Sequence, residues 1–127
     1  MALPRTIEQG RAQEAYEFAM QGMNETSDYK NKVKSFPMMI KTNGLGAAVA
    51  FAKGKSGWMT VYNQIEIHLR QNDLFNTYKE VSLQNEPLDS YLTQIDSTLY
   101  RAITVEVMAL FTWLRRFAEG IENNNNN

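Results

Sequence analysis

The side chains able to perform acid–base, nucleophilic or metal chemistry are few and scattered in this sequence. It has one histidine, His68, and no cysteine, which excludes disulfides, thiolate zinc sites and a cysteine nucleophile. No glycine-rich phosphate loop, metal-ligand spacing or convincing nucleophile–base pair is present. Carboxylates such as Glu8, Glu17 and Asp96 fit surface or capping positions. We therefore predict a protein that is not an enzyme and that carries no catalytic residue, metal site or cofactor.

Glu106 is the carboxylate whose position needs an explanation. It falls inside the apolar arc of the C-terminal helical pattern, where neighbouring positions are core residues. A carboxylate in a core stripe needs hydrogen bonds or a cation, because burial otherwise favours its protonated form. We interpret Glu106 as a structural residue that ties two helices together, in preference to a catalytic group.

Lysines form the second chemical pattern. The net charge is only −1, yet residues 29–65 contain six lysines and no Asp or Glu. At 100° per residue, a continuous helix places several of these lysines on one stripe, with small residues between them. These positions are Lys30, Lys34, Lys41 and Lys55, with Gly44 and Ala48 in the middle. Such a stripe suits a polyanion, although lysines that only solubilise the surface are the plainer alternative.

The segment Asn43-Gly44-Leu45-Gly46 interrupts the lysine-rich region. The apolar phase continues through it, which favours one helix from about Tyr29 to Phe51 or Ala52, although Pro37 weakens that interpretation. A break at Asn43 would instead create a new helix N-terminus with free N–H groups for anions. An Asn-Gly helix cap with packing glycines is an equally weighted alternative.

The periodicity along the chain predicts helices and almost no strands. A capping box formed by Thr6 and Gln9 opens the first helix, which is predicted to end near Gly22. A third helical stripe contains Trp58, Val61, Ile65 and Leu69, a weaker stretch spans residues 73–81, and a short helix is expected after Asp89. We predict an all-α, compact single-domain bundle of five to six helices over residues 5–121, with a disordered Asn-rich tail at 122–127.

The last helix is predicted to begin after Asp96 and to end before Gly120. One face is broadly apolar, and the opposite face mixes Val105 and Met108 with Arg101 and Arg115. A helix that is apolar on both sides usually has two partners, so another part of this chain or another protein covers the second face. No segment is long and apolar enough to span a bilayer, and we expect a soluble, cytoplasmic protein.

Three stretches together resemble a known family. These are "IEQGRAQEAYEF", "KSFPMMIKTNGLGAAVAF" and "LYRAITVEVMALFTWLRRFAEG". They closely resemble the small-subunit family of the type III-B CRISPR effector, the Cmr RNA-silencing complex, over about residues 5–54 and 88–121. The resemblance implies a non-catalytic, all-helical subunit, present in several copies in a cytoplasmic ribonucleoprotein of antiviral defence. In that family, copies stack in a filament beside the backbone subunits, and both enclose the guide RNA–target RNA duplex.

The resemblance also implies a division of labour in the site residues. The basic residues are expected to hold the RNA backbone without reading sequence, and two apolar residues are expected to contact other subunits. The expected RNA-binding residues are Lys30, Lys34, Lys41, Lys55, Arg101, Arg115 and Arg116, and the expected interface residues are Val105 and Met108.

The implied partners are the backbone and large subunits, further copies of the chain and the RNA duplex, with no membrane and no small-molecule substrate. Gly44 and Gly46 are expected to thin the helix where RNA or a neighbouring subunit comes close, so a bulky residue at Gly44 should spare folding and reduce target capture. A helical protein–protein adaptor without RNA contact is the alternative.

Overall fold

The computed structural model describes residues 6–72 and 86–125, with side chains up to residue 122. These residues form six α-helices and no strand, which confirms the predicted all-α class and number of helices. The helices are α1 (Ile7–Glu25), α2 (Tyr29–Asn43), α3 (Leu45–Gly54), α4 (Met59–Gln71), α5 (Leu88–Tyr91) and α6 (Ser97–Asn125). The predicted weak stretch at 73–81 lies outside the described residues.

Helix α1 begins at the predicted capping box. The Gln9 N–H donates to the Thr6 side chain and the Thr6 N–H donates to the Gln9 side chain, both at 3.0 Å. The helix ends at Glu25, so the predicted end near Gly22 is slightly early. Gly22 is instead a packing residue, because a Cβ atom there would lie 2.2 Å from the ring of Tyr29. This glycine lets the start of α2 approach α1 closely.

The break between α2 and α3 is at Gly44, which has a φ of +89°. The Gly44 N–H donates to the carbonyl of Ile40 and its own carbonyl accepts from Ala48, so one residue caps both helices. The interpretation of one continuous helix is therefore wrong, and the alternative of a break at Asn43 is confirmed. Only a residue that tolerates positive φ can make this sharp turn without strain, and glycine does so at no steric cost.

Helix α6 has the predicted start and a later end than predicted. Asp96 caps it, accepting a hydrogen bond from the Leu99 N–H at 2.8 Å. The helix continues through Gly120 to Asn125, so the predicted end before Gly120 is wrong and residues 122–125 of the predicted tail are helical. Ile121 packs against the core just beyond the glycine. Extending an existing helix needs no new nucleation, so this packing and the helix before it offset the cost of one glycine, about 1 kcal/mol.

The core lies where α6 packs against α1 and α2, with α3, α4 and α5 closing the other side. The rings of Phe36 and Phe111 stack at 4.9 Å across the contact between α2 and α6. The stripe predicted on the third helical segment runs along α4 and is buried. Among the described residues, no helix is long and apolar enough to cross a membrane. The long α6 therefore provides one surface for the core and a second surface facing outward.

Candidate nucleic-acid interface

A groove of about 440 Å³ runs between α2 and α6 on the outer surface of the bundle. Its wall on α2 comes from residues four apart, which share one helix face, and its wall on α6 comes from residues three or four apart. The lining residues are Pro37, Lys41, Met108, Phe111, Thr112, Arg115, Arg116 and Glu119. The fold thus brings together three of the predicted RNA-binding residues, Lys41, Arg115 and Arg116, from two helices far apart in sequence.

The groove carries an excess of positive charge. Lys41, Arg115 and Arg116 are all exposed at its rim, and Glu119 is the single carboxylate among the lining residues. Arg115 Nε lies 3.5 Å from Glu119 Oε1, in an exposed pair that screening by water weakens. Lys41 and Arg116 make no ion pair with any residue in 6–72 or 86–122. Their charges are therefore available to an external anion.

Two further predicted lysines lie on the same face of α2, closer to its start. Lys34 is exposed, one helical turn after Lys30. Lys30 Nζ lies 2.9 Å from Glu122 Oε1, and this hydrogen bond raises the pKa of Lys30. Glu122 belongs to the part of α6 beyond Gly120. The helical extension that the sequence did not predict therefore pairs one cation of the stripe with a carboxylate.

Lys55 and Arg101 do not line this groove. The turn at Gly44 ends α2 and changes the direction of the chain. The angular positions that placed Lys55 on one stripe with Lys41 assumed a continuous helix, so they do not hold beyond Gly44. Lys55 follows the last turn of α3 in extended backbone. Arg101 is exposed near the start of α6, about 10 Å along the helix axis from Met108. Both are surface cations outside the groove.

The two predicted interface residues have different surroundings. Val105 is 65% exposed on α6 and has no cover from the described part of the chain. Met108 is half-buried, lines the groove and packs against the core, so its own chain covers part of it. Of the pair, Val105 is the side chain that offers free apolar surface to another molecule.

The glycines around the helix break accommodate a side chain of the same protein. The Gly46 N–H donates to the Tyr100 hydroxyl at 2.8 Å, and a Cβ atom on Gly44 or Gly46 would lie 3.5 Å from that oxygen. One of the N–H groups at the start of α3 that could have bound an anion is therefore already hydrogen-bonded to Tyr100. The φ of +89° at Gly44 strains any L-residue, so a bulky residue there is expected to cost stability, which the sequence-based expectation did not include.

A buried charged cluster explains Glu106. Arg11 donates from Nε and Nη2 to the two Glu106 carboxylate oxygens, at 2.6 and 2.8 Å. His68 Nε2 lies 2.9 Å from Glu106 Oε2, and its Nδ1 is paired with Glu14. The carboxylate therefore joins α1, α4 and α6, one helix more than predicted. The cluster borders a cavity of about 380 Å³, also lined by Ile7, Gly10, Gln71 and Asn72.

The electrostatics of this cluster favour a fixed structural role. Burial disfavours the charged form of Glu106, but hydrogen bonds from Arg11 and His68 outweigh burial and lower the pKa of the carboxyl to about 2. Burial likewise disfavours the imidazolium, yet hydrogen bonds to Glu106 and Glu14 raise the pKa of His68. Both ring nitrogens face carboxylates, so neither is free to abstract a proton from a substrate. No group of His, Cys, Asp and Glu in the described residues is arranged to hold a metal ion.

The residues that the sequence did not reveal had a partial signal. Arg11 lies four and seven residues before the buried Ala15 and Phe18, and His68 lies three residues after the buried Ile65. Each is thus a polar residue on a core stripe, like Glu106, and three such residues on three helices suggest mutual contact. Glu122 had no comparable signal, because its placement depends on how far α6 extends past Gly120.

These features define a small, all-helical protein with an outward cationic groove and an internal ion-pair cluster that holds the bundle together. The model of the CRISPR-associated Cmr5 family matches residues 7–121, and the chain belongs to that family. Family membership supports the assignment of this chain as a small subunit of the Cmr complex that assembles with other Cmr subunits. Small subunits of this family are generally structural components.

A solved structure has the same fold. It is the crystal structure of a CRISPR-associated Cmr5 family protein from Thermus thermophilus, which is 25% identical to this chain, with a TM-score of 0.70. The match covers 92% of this chain and 97% of that protein. No match occurs among curated proteins. The resemblance stated from the sequence is thus confirmed at the level of family and fold.

Proposed function

We propose that this protein is a non-catalytic small subunit that holds the guide RNA–target RNA duplex of a Cmr effector through contacts to its phosphate backbone. The observation that carries the proposal is the groove between α2 and α6, where Lys41 and Arg116 have no carboxylate partner among the described residues. Cations that face outward without an internal partner can bind phosphate groups, and such contacts do not depend on the base sequence.

The charge balance of the whole chain fits a subunit that works in an array. With a net charge of −1, one copy has little long-range attraction for RNA. A row of copies that aligns its grooves along one duplex would gain affinity by multivalency. We propose that copies stack in a filament beside the backbone subunits, with the exposed Val105 at a subunit contact and Met108 at its edge.

The test uses two matched double variants in the reconstituted effector complex. Lys41→Ala with Arg116→Ala removes the two unpaired cations of the groove. Lys55→Ala with Arg101→Ala removes the same two residue types from exposed positions outside it. Assembly is checked first by size and subunit stoichiometry, and target-RNA affinity is then measured at several salt concentrations.

The expected result is a difference between the two variants. The groove variant should bind target RNA more weakly, and the slope of log affinity against log salt should become shallower by roughly one to two. The control variant should match the wild type, because its cations do not line the groove. Equal affinity and slope in the groove variant would refute RNA contact here and would favour the adaptor alternative.

The adaptor alternative has its own supporting observation. Val105 is a branched apolar residue on the outward face of α6, and it is 65% exposed. Replacing Val105 with Asp should then release a partner subunit at any salt concentration, because apolar contact does not depend on counterions. Under the RNA-binding proposal the same change impairs assembly, while the groove variant impairs target binding in assembled complexes.

A further inference from the structure

An aromatic cluster lies on the surface between α1 and α6, on the side of Arg116 away from the groove. Trp113 and Phe117 stack with ring centroids 5.6 Å apart, and Tyr16 meets Phe117 edge-on at 5.4 Å. Tyr16 is 49% exposed and Met20, one turn later on α1, is 47% exposed. Trp113 and Phe117 are half-buried, with their inner sides against the core. Three rings are thus in contact at a surface that core packing does not fully cover.

Arg116 connects this cluster with the cationic groove. It lines the groove, and it lies three residues after Trp113 and immediately before Phe117 on α6. Residues three apart are neighbours on a helix surface, so the Arg116 position lies between the Trp113 position and the groove. A row of cations beside exposed aromatic rings is the arrangement that single-stranded nucleic acids favour, with phosphates on the cations and bases on the rings.

We propose that Tyr16 and Trp113 form a stacking platform for one or two unpaired bases of an RNA strand whose phosphates lie along the groove. The inference rests on the proposed RNA contact of the groove and extends it from backbone contacts to bases. Every base has a π-face, so the platform adds affinity without selecting a sequence. Stacking also requires an unpaired base, so the platform serves a stretch of the strand that is not paired in the guide RNA–target RNA duplex.

The experiment compares two strands of the same charge on the full-length chain at low salt. One is a single-stranded oligouridylate of about 12 nucleotides, within the usual range of site sizes, and the other is an abasic ribose-phosphate strand of equal length. Trp113 fluorescence reports stacking directly, because the other tryptophan, Trp58, is only 8% exposed. Variants Tyr16→Ala and Tyr16→Phe then separate loss of the ring from loss of the hydroxyl.

The wild type should bind oligouridylate more tightly than the abasic strand, and only oligouridylate should quench tryptophan fluorescence. Tyr16→Ala should weaken oligouridylate binding at least about fivefold and leave the abasic strand unaffected, whereas Tyr16→Phe should keep full binding. Lys41→Ala with Arg115→Ala tests the groove separately and should weaken both strands. Equal affinity for the two strands without quenching overturns the platform and leaves the groove intact. Failure to bind either strand at low salt overturns the platform, whereas the groove is judged by the target-RNA affinity of the assembled complex, in which several copies act together.

Discussion

Arg11 and Glu106 are 95 residues apart in sequence, and two parallel hydrogen bonds of 2.6 and 2.8 Å join their side chains. The Glu106 side chain is 5% exposed and that of Arg11 is 18% exposed, so the pair lies at the inner edge of the contact between α1 and α6. A paired guanidinium and carboxylate satisfy each other's hydrogen-bonding groups in a fixed geometry. The pair therefore fixes how these two helices are aligned.

Replacing Arg11 with Ala should lower the free energy of unfolding by about 2 kcal/mol, because it leaves a buried carboxylate with His68 as its remaining partner. Arg11→Lys keeps the charge but loses the two-pronged geometry, and it should restore only part of the stability. Chemical denaturation followed by circular dichroism measures both variants. A loss within about 0.5 kcal/mol for Arg11→Ala would show that the pair contributes no more than an exposed ion pair.

The stability of the protein should depend on pH through the same cluster. The pKa of folded His68 is raised above its ordinary value of 6.5, so its contribution is complete below pH 6.5 and is lost as pH rises through the folded pKa. The pKa of Glu106 is lowered from 4.5 to about 2, so its contribution is complete above pH 4.5 and is lost as pH falls toward 2. The cluster should therefore stabilise the fold most between pH 4.5 and 6.5.

A His68→Gln variant isolates the histidine part of this dependence. The groups that face His68 are Glu14 and Glu106, with Arg11 behind Glu106. Glutamine cannot carry the positive charge, so the difference in unfolding free energy between wild type and variant should be greatest near pH 6 and shrink as the pH rises. A difference that stays constant from pH 5 to 9 would contradict the raised pKa.

The fold could be predicted from sequence where local signals and tertiary packing agree. The capping box at Thr6, the cap at Asp96 and the apolar stripes of α4 and α6 each depend on residues close in sequence, and the structure confirms them. Helix ends were less predictable when they contained glycine. Gly22 and Gly120 lie inside helices because packing of Tyr29 and Ile121 outweighs the glycine cost.

The candidate site could be predicted only in part for a similar reason. Helical spacing at 100° per residue identified Lys41, and the outward face of α6 indicated Arg115. Whether the two side chains line one groove depends on how α2 packs on α6, which the spacing does not predict. Lys55 was assigned to the stripe because the helical spacing of apolar residues continued through Gly44. That spacing does not reveal a backbone turn with positive φ. The partners of Glu106, Arg11 and His68, could not be predicted because their contacts depend on the packing of three helices.

The two glycines at the helix break should respond differently to alanine. Gly44→Ala should destabilise the protein by about 1–2 kcal/mol, because an L-residue at a φ of +89° is strained. Gly46→Ala places its Cβ 3.5 Å from the Tyr100 hydroxyl, an ordinary contact, and should change stability by less than about 1 kcal/mol. Thermal unfolding of the two variants provides the comparison. Equal losses would mean that Gly44 is kept for a reason other than its backbone conformation.

A second pair of glycines separates helix propensity from packing. A Cβ at Gly22 would lie 2.2 Å from the buried ring of Tyr29, whereas a Cβ at Gly10 meets no atom within 4 Å. Gly22→Ala should therefore destabilise the fold by about 2–3 kcal/mol through overpacking. Gly10→Ala should stabilise it by about 0.5–1 kcal/mol through better helix propensity. Denaturation midpoints that shift in the same direction for both variants would contradict the close contact between α1 and α2.

The carboxylates at the end of α6 should weaken RNA binding to the groove and to the lysines of α2 beside it. Glu119 pairs with Arg115 at 3.5 Å and Glu122 pairs with Lys30 at 2.9 Å, so both compete with phosphate for the same cations. Replacing both with Gln removes the competition and the repulsion of phosphate. We expect target-RNA affinity to rise about two- to tenfold at low salt, with a smaller gain at high salt because screening weakens both effects.

The matched control is Glu17→Gln with Glu25→Gln, which makes the same change in net charge at exposed positions on α1. If only net charge matters, both double variants should gain RNA affinity equally, and the placement of Glu119 and Glu122 would have no special effect. A gain confined to the α6 variant would show that α6 moderates the groove through its own side chains. Because the variant gains affinity, the result cannot be explained by partial unfolding, and an unchanged melting temperature would confirm that the fold is intact.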